Sequence, residues 1–122
     1  MRPIEAPKCA HLLEQIELEL KRLHRWQDAP LTPDKFIDMG AFGANKMAYE
    51  QWLQFVFIPA VKEALAGQRA APARSEVGIR AVKCFDGDSN ASHLADLLCE
   101  FDDTYMQEVA GSPARPSNPR LQ

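Results

Sequence analysis

The chain has 122 residues, of which 46% are hydrophobic and 25% are charged. This length supports one hydrophobic core, and the composition excludes a multidomain enzyme and a wholly disordered protein. The net charge of -3, from 14 basic and 17 acidic residues, excludes a dedicated nucleic-acid coat, which normally carries a strong positive excess. The composition therefore predicts a small globular domain on which any binding of polyanions is local.

The start of the chain and its cysteines indicate the compartment. No apolar run follows residues 1–8 that could serve as the core of an export signal. The most apolar stretch, residues 55–61, is far shorter than the roughly 20 residues that span a bilayer. Cys9, Cys84 and Cys99 form an odd set without paired short spacings, which favours reduced thiols over disulfides or a zinc site. We predict a cytoplasmic protein with no membrane association, no metal and no cofactor.

The first element is an amphipathic helix. Between residues 8 and 26, apolar side chains recur at spacings of four, four and three: Leu12, Ile16, Leu20 and Leu23. The Asp-Ala-Pro sequence at residues 28–30 ends this helix. A threonine followed by a proline predicts a short helical turn over residues 34–39, which the Gly-Ala-Phe-Gly sequence then interrupts.

The second helix is predicted over residues 47–66. It is apolar on nearly every side, which is typical of a central helix packed against several neighbours, with Trp52 as a core anchor. Pro59 lies inside this pattern and has no N–H to donate. We therefore expect a kink, or a local loss of the hydrogen-bond ladder, near Phe55.

Two further helices and a tail complete the prediction. A weaker third helix covers residues 76–85, where Gly78 lowers the helix propensity. A fourth helix extends to about Val109 and is expected to be capped by Asp88, Ser89 or Asn90. The sequence thus predicts an all-α, four-helix bundle-like single domain over residues 1–109. Residues 110–122 are predicted to form a disordered, Pro-rich tail.

The second helix carries a family resemblance. Residues 47–59, Met-Ala-Tyr-Glu-Gln-Trp-Leu-Gln-Phe-Val-Phe-Ile-Pro, resemble the signature of the YqcC-like family, a bacterial domain of unknown function. His24, Trp26 and Phe36 support the likeness, which extends over residues 8–108. Where the family often continues with Pro-Arg-Met, this chain has Pro-Ala-Val, so no role of that arginine is carried over.

The resemblance implies a small helical domain of the bacterial cytosol. It also implies an association with tRNA modification, since the family's genes tend to lie near a tRNA pseudouridine synthase. Such a synthase needs a much larger mixed sheet that carries its catalytic aspartate. We therefore do not expect this chain to be that enzyme, and we assign no catalytic residue.

Three groups of side chains are candidate binding sites. Residues 84–109 carry seven acids and no base, and three of these acids form a candidate docking site for a basic protein: Asp96, Glu100 and Asp103. The end of the first helix combines bases with an aromatic ring that could hold RNA: Lys21, Arg22, Arg25 and Trp26. A groove could form among aromatic side chains beside His24: Trp52, Phe55 and Tyr105. Burial decides whether Trp26, Phe42 and Trp52 belong to the core or to an exposed patch.

These groups lead to three functional hypotheses. The favoured one is a non-catalytic protein-interaction module of the bacterial cytosol with an unknown protein partner. The alternative is an RNA-linked accessory factor that binds tRNA or a tRNA-modifying enzyme. The third is a small-ligand binder or an unrecognised enzyme, and a homodimer remains open in each case.

Overall fold

A computed structural model describes residues 3–110, which form an all-α domain of four helices. Helix α1 is Pro7–Arg22, and α2 covers residues 49–65 as three consecutive segments, Tyr49–Trp52, Leu53–Phe57 and Ile58–Leu65. Helix α3 is Val77–Cys84, and α4 is Ser92–Tyr105. Short 3-10 turns lie at Pro33–Phe36, Ala41–Gly43 and Ser89–Ala91, and a π-turn at Met106–Ala110 follows α4. The described residues contain no strand, which confirms the predicted fold class, and residues 111–122 of the predicted tail lie outside them.

Helix α1 ends four residues before the predicted end. His24 has φ 60°, in the left-handed region, and it follows the C-cap residue Leu23. The His24 amide donates to Lys21 O and the Arg25 amide donates to Leu20 O, which together form a Schellman motif. The chain therefore leaves the helix axis at His24, and Arg25 and Trp26 are not part of α1.

The predicted disturbance before Pro59 takes the form of a π-turn at Leu53–Phe57. The Ile58 amide donates to Leu53 O, five residues back, in place of the regular acceptor four residues back. A proline removes one donor and its ring crowds the carbonyl of the preceding turn, and a wider turn relieves both effects. Helix α2 therefore continues through Pro59 to Leu65.

The central helix is α4, and the prediction that the second helix is central was wrong. The backbone of α4 lies alongside those of α1 and α3 more extensively than the backbones of any other pair of these four helices do. Gly78 makes the α3 contact possible, since a Cβ atom there would lie 2.5 Å from Cys99 Cα. Helix α2 reaches the core through large side chains instead, such as Phe57, whose ring centroid lies 5.2 Å from that of Phe101.

Two carboxylates, one in α4 and one in the π-turn that follows it, cap the N-termini of other helices. Asp102 accepts hydrogen bonds from the Val77 and Gly78 amides, at 3.1 and 2.7 Å, and from Ser75 Oγ at 2.6 Å. Glu108 accepts from the backbone amides of residues 8 and 9, at 3.2 and 2.8 Å. Each carboxylate satisfies amides that have no partner inside their own helix. The last helical segment thus fixes the start of both α1 and α3.

The predicted side-chain cap of α4 itself was wrong. The 3-10 turn Ser89–Ala91 stands before the helix, and neither its N-cap Asp88 nor the helix N-cap Ala91 makes a side-chain cap hydrogen bond. The Asp88 carboxylate is engaged elsewhere, because it accepts a hydrogen bond from Arg25 Nη2 at 2.6 Å.

Candidate functional site

A groove of about 300 Å³ lies between α2, the connector at residues 69–76 with the first residue of α3, and the C-terminal half of α4. Five aromatic side chains line it: Phe42, Trp52, Phe57, Phe101 and Tyr105. We call this feature the aromatic groove. Its other lining residues are mostly alanine, valine and leucine, and its volume falls at the lower end of the range for ligand-binding pockets.

The ring of Phe42 forms one end of the groove because of an unusual backbone. Phe42 has φ 57° and Gly43 has φ 63°, so two consecutive residues are left-handed, a costly conformation for phenylalanine. The Phe42 ring meets Trp52 edge-on, with 5.1 Å between the ring centroids, and Arg80 Cζ lies 5.5 Å from the centroid of the Phe42 ring. A Cβ atom on Gly43 would lie 3.0 Å from Trp52 Cδ1, so the glycine makes room for the tryptophan.

Two tyrosine hydroxyls form hydrogen bonds to the connector and to the start of α3, which together form the outer wall of the aromatic groove. Tyr105 Oη donates to Pro72 O at 2.5 Å, and Tyr49 Oη donates to Val77 O at 2.7 Å. Burial raises the pKa of both Tyr49 and Tyr105 above that of a free tyrosine, so both hydroxyls keep the proton they donate. The wall is therefore held at two points by groups on α2 and α4.

The structure brings together only part of the predicted groove. Trp52 and Tyr105 line it, but Phe55 and His24 do not. Phe55 is half-buried on another side of α2, and His24 is exposed where α1 ends. Trp26, Phe42 and Trp52 are all half-buried and packed against the core, but only Phe42 and Trp52 belong to the groove. Sequence reasoning missed the connector wall and the Phe42-Gly43 turn as parts of the site.

The three predicted acids on α4 form one exposed surface, which we call the acidic face. Asp96, Glu100 and Asp103 are spaced by four and three residues, so they point to the same side of the helix. Among the described residues, none of the three lies within 4.0 Å of a basic side chain. The acidic face therefore carries charge that no neighbour in residues 3–110 neutralises by direct contact.

The predicted basic cluster is engaged with carboxylates. Three ion pairs account for it: Lys21 with Glu17 at 2.9 Å, Arg22 with Glu19 at 2.5 Å, and Arg25 with Asp88 at 2.6 Å. Trp26 lies beside this cluster, because Lys21 Nζ is 5.1 Å from the centroid of the Trp26 ring. An RNA phosphate would have to compete with a protein carboxylate for each of these bases.

The pair between Arg25 and Asp88 predicts a dependence of stability on pH. Arg25 lowers the pKa of the Asp88 carboxyl below its ordinary value. A group whose pKa is lower in the folded state stabilises the fold above its unfolded pKa, and this contribution is lost as the pH falls through the folded pKa. We expect Asp88→Asn to lower the free energy of unfolding at pH 7, and the difference from wild type to disappear as the pH falls through the lowered pKa of Asp88.

Urea unfolding at several pH values measures this difference. Asp86→Asn is the matched control, because Asp86 is an exposed neighbour that makes no ion pair with the described residues. Equal pH profiles for the Asp88 and Asp86 variants would contradict the prediction.

The described residues contain no group of three or more potential metal ligands. The three cysteines are free thiols, of which Cys9 is fully buried and Cys84 is exposed. Burial raises the pKa of the Cys9 thiol to about 12, so it stays protonated. Within residues 3–110, no helix is both long enough and apolar enough to cross a membrane.

These features define a small all-helical domain with an aromatic groove and an acidic face. A family model described as DUF446: tRNA pseudouridine synthase C matches residues 8–104. The chain belongs to this family. It is also 35% identical over 60 residues to a protein from Haemophilus influenzae named as uncharacterized, an alignment that covers 49% of this chain and 57% of that relative. No solved structure matches the chain.

Proposed function

We propose that this domain is a non-catalytic protein-interaction module of the bacterial cytosol, and that a basic surface of its partner binds the acidic face. The observation that carries the proposal is the difference between two groups of acids within residues 88–108. Asp88, Asp102 and Glu108 are engaged with groups of the fold, whereas Asp96, Glu100 and Asp103 are exposed without a basic contact in the described residues.

Complementary charge across an interface speeds association and excludes wrong partners. Exposed charges also interact less strongly as salt rises, because the Debye length shortens. The proposal therefore predicts a complex that is sensitive to salt.

Reversal of the acidic face tests this proposal. We expect Asp96→Lys, Glu100→Lys and Asp103→Lys together to weaken binding of the partner by at least about ten-fold at low salt, because like charges then face each other. Affinity purification from the native cytosol identifies candidate partners, and titration of each purified candidate measures its affinity for the wild type and the variant.

The matched control reverses three exposed acids elsewhere: Glu5, Glu14 and Asp28. Both variants change the net charge equally, so only a site on the acidic face separates them. A purified partner that binds both variants as tightly as the wild type would overturn the proposal.

A second candidate function is a role in tRNA modification, which the description of the family favours. It agrees with the association that the YqcC-like resemblance implies. In this case the partner is a tRNA pseudouridine synthase, or its tRNA, and the bases that could contact RNA are Lys21, Arg22 and Arg25. A gel shift with tRNA at low salt, weakened by added salt and by Lys21→Ala with Arg25→Ala, tests direct RNA binding. Binding of a purified synthase without a tRNA shift would assign the role to protein docking.

A further inference from the structure

The floor of the aromatic groove is apolar, whereas its mouth is charged. The most buried of the lining side chains form the floor: Ala64, Val77, Phe101 and Tyr105. The connector forms the mouth, where the exposed lining residues include Arg69, Arg74 and Glu76. A molecule that suits both parts has an apolar body and one polar end.

The hydrogen-bonding groups of the lining indicate what kind of polar end fits. Both hydroxyls are already engaged, because Tyr105 Oη donates to Pro72 O and Ser75 Oγ donates to an Asp102 carboxylate oxygen. The side-chain N–H donors at the mouth belong to two guanidinium groups. A guanidinium donates to planar acceptors such as carboxylates and accepts no hydrogen bond. The mouth therefore favours a negatively charged acceptor.

Both of these arginines are only loosely paired with carboxylates of the protein. Arg69 Nη1 lies 3.4 Å from Glu63 Oε1, and Arg74 Nε lies 3.7 Å from Glu76 Oε2. All four side chains are more than half exposed, and exposed pairs of this kind contribute little to stability. The basic cluster at the end of α1 differs, since its three pairs are 2.5–2.9 Å long. A ligand carboxylate can therefore reach the guanidinium groups of the mouth without displacing a tight ion pair.

Charge and volume narrow the ligand further. Two arginines and one glutamate line the groove, although the whole chain has a net charge of -3. The volume of about 300 Å³ suits a small molecule. From these observations, we propose that the aromatic groove binds a small apolar monocarboxylate, with its hydrocarbon body on the floor and its carboxylate at Arg69 and Arg74.

This site is separate from the acidic face. None of the three acids of that face lines the groove: Asp96, Glu100 and Asp103. Binding of a small carboxylate therefore neither requires nor excludes a protein partner on the acidic face, and the two proposals are tested independently.

Ligands that differ only in their polar end test the proposal on the full chain. Octanoate, octanol and octylamine share one hydrocarbon chain and present an anion, a neutral group and a cation. The indole N–H resonances of the two tryptophans report binding by NMR, and a Trp26→Phe variant assigns them. Trp52 lines the groove and Trp26 does not, so Trp26 is an internal control. We expect octanoate to shift the Trp52 resonance alone, with an affinity at least about ten-fold higher than that of octanol or octylamine.

Replacing both arginines of the mouth tests the role of their charge. We expect Arg69→Gln with Arg74→Gln to weaken octanoate binding by at least about ten-fold and to leave octanol binding unchanged. The matched control is Lys8→Gln with Lys83→Gln, because both lysines are exposed and neither lines the groove. Both double variants remove two positive charges. The control should bind octanoate within about two-fold of the wild type.

Far-UV circular dichroism first verifies that the variants keep the helical fold. Octanol or octylamine binding as tight as that of octanoate would overturn the proposal, and so would an equal loss of octanoate affinity in the two double variants. Absence of a Trp52 shift at millimolar octanoate would also overturn it. Shifts of equal size at Trp26 and Trp52 would do the same, because the ligand would then have no preference for the groove.

Discussion

Replacing Gly78 with alanine is expected to lower the free energy of unfolding by about 2–3 kcal/mol. The added methyl group would lie 2.5 Å from Cys99 Cα and 2.7 Å from Cys99 N. Both are backbone atoms, so no side-chain rotation relieves the contact and α3 must move away from α4. The higher helix propensity of alanine stabilises the helix by about 1 kcal/mol relative to glycine. The destabilisation from overpacking is larger, so the net effect is a loss of stability. Urea or thermal unfolding measures the loss.

Gly40→Ala is the matched control for this change. A Cβ atom at Gly40 would lie 3.3 Å from the side-chain oxygen of Asn45, which can move, and the Gly40 φ of -74° suits any residue. The control should change the free energy of unfolding by less than about 0.5 kcal/mol. If Gly78→Ala is as stable as the wild type, the close approach of α3 and α4 is wrong.

Removal of the Asp102 carboxylate is expected to cost about 2 kcal/mol, because Asp102→Ala leaves the Val77 and Gly78 amides without their acceptor. An opposing effect exists, since burial raises the pKa of Asp102 and so disfavours its charged form. The lost cap dominates, because Val77 and Gly78 are buried and water cannot replace the carboxylate without moving the helix.

Asp103→Ala is the control for Asp102→Ala. The two aspartates are adjacent, but Asp103 is exposed and caps no helix. Its replacement should change the free energy of unfolding by less than about 0.5 kcal/mol. Asp102→Asn keeps one acceptor oxygen and should fall between the two variants. Equal stabilities for the Asp102→Ala and Asp103→Ala variants would show that the cap contributes nothing.

The helices could be predicted from the sequence because their apolar periodicity is local. The early end of α1 could not, since it depends on His24 in a conformation that histidine adopts only occasionally. The choice of the central helix failed for a different reason. The number of apolar residues favours α2 as the central helix, but small side chains decide how closely two helix backbones approach. Gly78 lowers the helix propensity of α3, yet it is the residue that allows α3 to approach the backbone of Cys99.

The candidate sites were predictable to different degrees. The acidic face follows from helical spacing alone, so the side on which Asp96, Glu100 and Asp103 lie could be predicted. The aromatic groove depends on contacts between residues far apart in sequence, such as Tyr105 with Pro72. The Phe42-Gly43 sequence was the one local signal, because a glycine after an aromatic residue permits the turn that presents the ring.

The caps supplied by Asp102 and Glu108 have a consequence for the order in which the protein matures. The ribosome makes α1 before α4, but the backbone amides at the start of α1 receive their acceptor from Glu108, about a hundred residues later in the chain. The start of α3 likewise receives its acceptor from Asp102, which is made later than α3. In the nascent chain, the amides at these two helix starts therefore stay without their native acceptors until Asp102 and Glu108 have emerged.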